Sequence, residues 1–325
     1  MVFVIAEVGT NHMGSIKNAK QIIDIAKDAG CDAVKFQKRS VEKVYTKKFL
    51  DSQLESPWGS TQRQMRLHRE FSIKQFKEIN GHCQKKKITW FVSCWDTESQ
   101  ISMREFKTKY NKVASAMLTH KKLLELIAQE KKYTFISTGM STMKDIQNAV
   151  KIFRKYKCPF ELMHCHSTYP MPHDEANLKM IPILEKKFKC KVGYSGHETS
   201  VFPSVFAAIL GAVVIERHIT LDRSMYGTDQ AASLSEQGIA QLADLLSKFP
   251  MMYGEGIHKE QDYFKAFKWL KKSAEQGDSD AQYNLGRYYD HGRGVTKSLK
   301  DAFHWYHCSA KQNNSLAMYN VGNMY

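Results

Sequence analysis

The sequence predicts an α/β protein: a (β/α)₈ barrel followed by an all-α segment of short helical repeats. Three observations carry this expectation. Over the first 250 residues, apolar runs of four to six residues alternate with amphipathic helical runs, eight times in succession. Almost every apolar run ends on a polar residue able to do chemistry. From Tyr263 onward the chain repeats itself at a fixed interval. An open doubly wound sheet is the alternative for the first part, but no GxGxxG follows an early strand.

Strands are expected at 2–8, 33–37, 89–93, 112–114, 133–137, 160–164, 192–195 and 213–218. They are continuously apolar, as strands covered on both faces must be. Helices are expected at 16–29, 73–85, 98–107, 121–129, 143–156, 177–188, 200–210 and 236–248. The first shows the helical period plainly, with Ile16, Ala19, Ile22, Ile23 and Ala26 on one face and Gly30 as its stop. The barrel is placed at 1–250 and a linker at 251–262, where Pro250, Gly254 and Gly256 break the pattern. Residues 263–325 form the repeat segment. Ala266, Trp269, Ala274, Ala281, Tyr283, Asn284 and Gly286 recur 36 positions later as Ala302, Trp305, Ala310, Ala317, Tyr319, Asn320 and Gly322. The second repeat is expected to be incomplete, breaking off at Tyr325. The period, the alanine spacing and the turn Gly292-Arg293-Gly294-Val295 resemble Sel1-type repeats, helix-pair relatives of the TPR, which stack and offer a surface to a protein partner.

Composition excludes several classes. Hydrophobic residues make up 42% and charged residues 25% of the 325 positions, an ordinary globular balance. The net charge of +15 raises a nucleic-acid partner. The lysines are scattered, however, and Lys85-Lys86-Lys87 is too short to be a basic arm, so a lysine-rich composition without nucleic acid is the preferred reading. A positive field also draws in small anionic substrates. Seven cysteines, with no CxxC, indicate reduced thiols and a cytoplasmic protein. The N-terminus lacks a basic n-region and reads as a first strand, not a signal peptide. No apolar run approaches the ~18 residues of a membrane span.

A barrel brings its strand ends to one face, where such enzymes work. His197 and His218 end two successive strands of one βαβ unit, so their imidazoles can share a divalent metal. The plain alternative is two ordinary histidines at strand ends. Lys35 and Lys112, with the hydroxyls of Ser115, Ser137, Ser167 and Ser195, suit a phosphate, which needs positive charge and several donors. Glu7 and Glu216 offer carboxylates for proton transfer or for orienting a sugar hydroxyl. Phosphate, metal and carboxylates together point to carbon–carbon bond formation with a phosphorylated donor.

Seven stretches, in order, carry a family resemblance: AEVGTNHMG (6–14), AGCDAVKFQ (29–37), KVAS (112–115), STGMST (137–142), HCHSTYPMP (164–172), GYSGH (193–197) and IERHIT (215–220), with GTD at 227–229. From about Phe3 to Leu246 the chain resembles the sialic acid synthases, meaning the N-acetylneuraminate synthases and their pseudaminic and legionaminic relatives. The resemblance implies a transferase of carbohydrate biosynthesis. It would condense phosphoenolpyruvate with an N-acetylated hexosamine aldehyde, releasing phosphate by C–O cleavage and forming a nonulosonic acid. It implies Mn²⁺, or another divalent metal, on His197 and His218, with Glu216 supporting the metal side. It places phosphoenolpyruvate on Lys35, Lys112, Ser115, Ser137 and Ser195, with Ser167 standing where the family often has Asn. Glu7 would work at the reacting centre, and Gln37, Tyr169 and Asp229 would contact the amino sugar. The family works as a homodimer in which a small antifreeze-like domain covers the neighbour's site.

Two departures stand out. The family's usual YSDH reads Tyr194-Ser195-Gly196-His197 here, and nothing after Phe249 resembles the antifreeze-like domain. Two rival readings remain open at this level. One is another metal-dependent barrel enzyme acting on sugars. The other is a non-catalytic interaction protein made of a barrel and Sel1-like repeats.

Overall fold

Eight strands close into a parallel barrel: β1 (Phe3–Gly9), β2 (Ala33–Lys38), β3 (Thr89–Cys94), β4 (Tyr110–Val113), β5 (Tyr133–Ser137), β6 (Phe160–Cys165), β7 (Val192–Gly196) and β8 (Val214–His218). Neighbours follow chain order, and β8 closes onto β1 through the register Phe3↔Val214 to Glu7↔His218. The computed structural model describes residues 2–253 and 260–324. These divide into two units, Met1–Tyr253 and Gly254–Tyr325.

The period of two along each strand explains how the barrel carries both a core and a site. Outward residues such as Val4, Ala6, Val34 and Phe36 pack with Ile22, Ile23, Ala26 and their counterparts on the surrounding helices. Inward residues at the lower end form a separate plug of Ile5, Ala33, Phe91, Phe135, Met163 and Val214. One step of two further along the same faces come Glu7, Lys35, Ser93, Ser137, Cys165 and Glu216. Each strand is therefore apolar where it fills the barrel and polar where it reaches the upper face.

The helices begin where the sequence supplies a cap. Ser15 accepts from the Asn18 N–H at the head of Ile16–Asp28, and Ser72 and Gln75 form a reciprocal capping box at the head of Ile73–Lys86. Thr142 and Asp145 do the same for Met143–Lys155. Some expected bounds shift. The helix expected at 98–107 runs only over Thr97–Met103, continues as one 3₁₀ turn at Arg104–Phe106, and stops as Lys107 turns left-handed at φ 48°. The helix expected at 177–188 begins at Met180, and the strand expected at 112–114 is Tyr110–Val113.

Between β2 and its return helix the chain makes an excursion that the periodicity does not reveal. Two four-residue helices (Val41–Val44, Lys47–Leu50) lead to a hairpin (Gln53–Ser56 with Gly59–Thr61) and a helix, Gln62–Arg69. It follows the C-terminal end of a strand, on the face where barrel loops build sites.

The last barrel helix is longer than expected, Glu236–Tyr253, with Pro250 in its final turn. Of the expected linker 251–262, Met251–Tyr253 are thus helical, and Glu260–Asp262 open the next helix. Residues 254–259 lie outside the described residues, as does Tyr325. The second unit is helical: Glu260–Glu275, Ser279–His291, Leu299–Ala310 and Ser315–Asn323. Its small core joins Ala274, Ala281 and Leu285 with Phe267, Leu270, Tyr289 and Trp305. The recurring alanines Ala281, Ala302 and Ala317 are buried, which is why the repeat keeps a small residue there.

Candidate active site

Around a cavity of about 190 Å³ at the upper face, the structure brings together the residues singled out from the sequence. Glu7, Lys35, Gln37 and Lys112 line it with the hydroxyls of Ser115, Ser137, Ser167 and Ser195. Tyr169, His197, Glu216 and His218 complete the wall. Asp229 is the exception: it lines an adjoining cavity of about 680 Å³. The two cavities share Gln37, Trp95 and Tyr169 in their walls.

The floor is a buried quartet of charges. Lys112 Nζ donates to Glu216 Oε2 at 2.8 Å. Lys35 Nζ lies 3.1 Å from Glu216 Oε1 and 3.2 Å from Glu7 Oε2. Gln37 Nε2 donates to Glu7 Oε1 at 2.7 Å, and Ser195 Oγ to Glu216 Oε1 at 3.1 Å. Burial alone would push Glu216 up, but Lys112 and Lys35 hold it well below the usual carboxylate range. Burial works against the charge on Lys35 as well, yet Glu216 and Glu7 keep it raised. Lys112, with burial and the repulsion of Lys35 against it and a single carboxylate partner, is lowered. Glu216, expected to support the metal side, has its carboxylate at the lysines in this structure. The period of two points Glu216 into the barrel beside Ser195, its register partner, and there it bridges the lysines.

Beside this floor Ser115 Oγ lies 3.0 Å from Cys165 Sγ, and the Gly139 N–H donates to both, at 3.1 and 3.2 Å. Cys165 is a wall residue that sequence reasoning does not separate from the other six reduced thiols.

The two histidines stand with ring centroids 5.5 Å apart. With nitrogen–metal distances of about 2.1 Å, two imidazoles sharing one ion have centroids roughly 5 Å apart. Burial first, then His218, push His197 down to about 3, so its imidazole is neutral and able to ligate. The other ring nitrogen, Nδ1, lies 2.6 Å from the His166 carbonyl oxygen, an orienting contact of the kind metal-binding histidines use. His218 Nδ1 is buried without a hydrogen-bond partner, with Asp229 Oδ2 3.9 Å away. These donors fit a divalent ion. Among the described residues no cluster of three or more His, Cys, Asp or Glu gathers as a ready metal cage. An ion here would have the two imidazoles as its protein ligands. The Tyr169 hydroxyl lies 2.8 Å from His197 Nε2.

Gly196, where the family pattern has Asp, is explained by its neighbour. A Cβ on Gly196 would lie 2.5 Å from Glu198 Oε2 and 2.7 Å from Oε1. The Glu198 carboxylate thus fills the space that a side chain at position 196 would need. It is fully buried, ion-paired with Arg217 at 2.8 Å and bonded by the Tyr194 and Ser204 hydroxyls. Arg217 also donates to the carbonyls of Glu198 and Ser200, tying the segment after β7 to β8. A carboxylate thus stands beside position 196 from two residues further along, and Glu198 and Arg217 each stand next to one of the two histidines in the chain. Gly196→Asp should cost about 1–3 kcal/mol by overpacking against Glu198. Glu198→Thr should cost about 3–5 kcal/mol by stranding Arg217. The double variant should recover about 2 kcal/mol of the summed loss in chemical denaturation, because the introduced carboxylate would then take the vacated space. Strictly additive losses would contradict the shared space.

Fold and site together define a (β/α)₈ barrel with a buried, charged cavity at its upper face. Comparison with known proteins sharpens this. Residues 22–258 match the NeuB family and residues 279–314 match the Sel1 repeat. The N-acetylneuraminate-9-phosphate synthase of Drosophila melanogaster is 35% identical over 254 residues, 77% of this chain and 68% of that protein. The N,N'-diacetyllegionaminic acid synthase of Campylobacter jejuni is 36% identical over 79% of this chain and 78% of its own. The crystal structure of the sialic acid synthetase of Leptospira borgpetersenii in complex with citrate superposes with a TM-score of 0.72 at 32% identity, covering 79% of this chain and 87% of that one. The chain belongs to the NeuB family, the sialic acid synthases, and carries a C-terminal Sel1 repeat.

Proposed function

We propose that the protein condenses phosphoenolpyruvate with an N-acetylated hexosamine aldehyde, giving a nonulosonic acid and inorganic phosphate. The observation that carries this reading is the single cavity in which two buried lysines, four serine hydroxyls and a pair of histidines meet, in a chain of this family. In the reaction, C3 of phosphoenolpyruvate forms a bond to the aldehyde carbon, whose oxygen takes up a proton. Water supplies oxygen to C2, and the C2–O bond breaks so that phosphate departs with the bridging oxygen.

Lys35, Lys112 and the serines are assigned to the phosphate and carboxylate of the donor. Each lysine keeps ammonium N–H groups beyond those aimed at Glu216 and Glu7. Glu7, held by Lys35 and Gln37, is assigned to proton movement at the reacting carbons. Glu216 orients both lysines. His197 and His218 would hold Mn²⁺ or a similar ion, which when bound polarises the aldehyde. Gln37, Tyr169 and Asp229 border the larger cavity, which supports their assignment to the sugar. Among the described residues no helix is long and apolar enough to cross a membrane. Seven free cysteines support a cytoplasmic enzyme. The homodimer implied by the family resemblance and a protein partner for the repeats belong to the same reading.

The test is phosphate release from phosphoenolpyruvate with and without aldose. Release that depends on an N-acetylated hexosamine, together with a keto-acid product of the mass of the hexosamine plus pyruvic acid, is expected. Aldose-independent release would point to a phosphatase, and none with any aldose to a non-catalytic barrel. Every assigned site residue lies within Met1–Tyr253. A chain ending near Lys259 should therefore turn over within about tenfold of the full chain, about 1.4 kcal/mol in the barrier. A folded truncation that loses a hundredfold would give the repeats a part in catalysis.

A further inference from the structure

We infer that the outer face of the first repeat helix, Glu260–Glu275, is a docking surface for an acidic helix of a partner protein, with Trp269 as its anchor and Lys265 and Lys272 as its charge contacts. The inference deepens the reading above, that the repeats take a protein partner, and does not depend on the condensation chemistry.

The repeat itself shows what this face is built for. Ala266, Trp269 and Ser273 recur 36 positions later as Ala302, Trp305 and Ser309. In the second repeat that face lies against the helix Ser279–His291. Ala302 and Ser309 are fully buried there, and Trp305 packs against the cluster of Ala274, Ala281 and Leu285. The Ser309 hydroxyl donates to the Ser279 carbonyl at 2.7 Å. Small residues let the two helices approach closely: a Cβ on Gly286 would lie 2.6 Å from the Tyr306 ring. In the first repeat the same three residues have no earlier repeat to cover them, because the barrel precedes Glu260 in the chain. Trp269 is 73% exposed. Terminal repeats need a polar outer face to stay soluble. A tryptophan held at the stacking position and left in solvent is the reverse of that, and tryptophan is the residue that most often anchors a protein interface.

The flanking charges select the partner. Lys265 and Lys272 stand beside Trp269 on this face, where the second repeat has Asp301 and Cys308. Lys272 Nζ lies 5.6 Å from the Trp269 ring centre. Neither lysine makes an ion pair among the described residues, whereas Lys271 is paired with Glu275. The helix that covers the equivalent face is itself acidic: with its cap it carries Asp278, Asp280 and Asp290 against one arginine, Arg287. Two copies of the exposed face would set lysine against lysine, which disfavours self-pairing. A single tryptophan between an alanine and a serine offers a bilayer little apolar surface, whereas the small residues suit a closely packed helix.

The test titrates the full-length protein with a fluorescein-labelled, hydrocarbon-stapled peptide of residues 278–292, the protein's own acidic covering helix, and reads anisotropy. Saturable binding is expected. Trp269→Ala, and Lys265→Glu with Lys272→Glu, should each weaken it by about tenfold or more, as should Asp280→Lys with Asp290→Lys in the peptide. Because these side chains are exposed, the protein variants should keep the wild-type denaturation midpoint and turnover. No saturable binding, or binding unchanged by these substitutions, would overturn the inference. Binding that resists Trp269→Ala but falls with Tyr319→Ala, exposed on the last helix, would keep a protein partner for the repeats and sink this face. A dimer in light scattering that Trp269→Ala dissociates would give the face to a second copy. Trp269-dependent binding to phosphatidylserine-containing vesicles would give it to a membrane. Either result would also overturn the inference.

Discussion

His197→Ala and His218→Ala are expected to lower turnover by roughly a thousandfold or more and to abolish tight Mn²⁺ binding, while the barrel stays folded. Removing the ion removes several kcal/mol of stabilisation of the charge developing on the aldehyde oxygen, and about 4 kcal/mol corresponds to a thousandfold. The fold should survive because neither ring belongs to the apolar plug or the outer core. The loss should be seen first in binding, as free Mn²⁺ counted by electron paramagnetic resonance, since the site rests on two protein imidazoles. Of the two variants, His218→Ala should be the more stable without metal, because its Nδ1 has no hydrogen-bond partner to lose, whereas His197 gives up its contact with the His166 carbonyl. Near-normal turnover by either variant in metal-stripped buffer would remove the metal from the account.

The lysine pair gives the second large effect. Lys35→Ala or Lys112→Ala removes one charge-assisted hydrogen bond to the donor, worth about 1.5–3 kcal/mol, hence roughly 10- to 100-fold in kcat/KM for phosphoenolpyruvate. Each single variant leaves Glu216 with one lysine partner, so the fold should hold. The double variant leaves Glu216 buried with neither lysine, and a cost of about 3–5 kcal/mol in stability is expected alongside near-complete loss of activity. Denaturation and donor kinetics on the three variants check both parts. Unchanged donor kinetics in the single variants would move the phosphate site elsewhere.

How much of this is legible in the sequence follows from what each residue's neighbours have to be. The barrel strands read well because both faces are covered, so β5, with Tyr133, Phe135 and Ile136, appears at its observed bounds, Tyr133–Ser137. The residues that line the cavity stand out in the sequence because inward positions on a barrel strand turn polar only near the top, as Ile5 gives way to Glu7 and Phe135 to Ser137. The setting of Glu216 is hidden, because its place two residues before His218 suggests the metal, whereas its inward direction and its register with Ser195 put its carboxylate between the lysines. Glu198 is silent in the sequence because its meaning depends on the space above Gly196, which no local pattern encodes. The excursion after β2 is hidden because its helices and strands are three to eight residues long, too short for a period to show.

The most direct test of the central claim uses phosphoenolpyruvate carrying oxygen-18 in the bridge between C2 and phosphorus, incubated with an N-acetylated hexosamine and Mn²⁺. A synthase of this kind breaks the C2–O bond, so the account predicts that the label leaves in the inorganic phosphate and that the new acid takes its C2 oxygen from water. Label retained in pyruvate, with unlabelled phosphate and no condensed product, would mean simple phosphoester hydrolysis at phosphorus and would contradict the account.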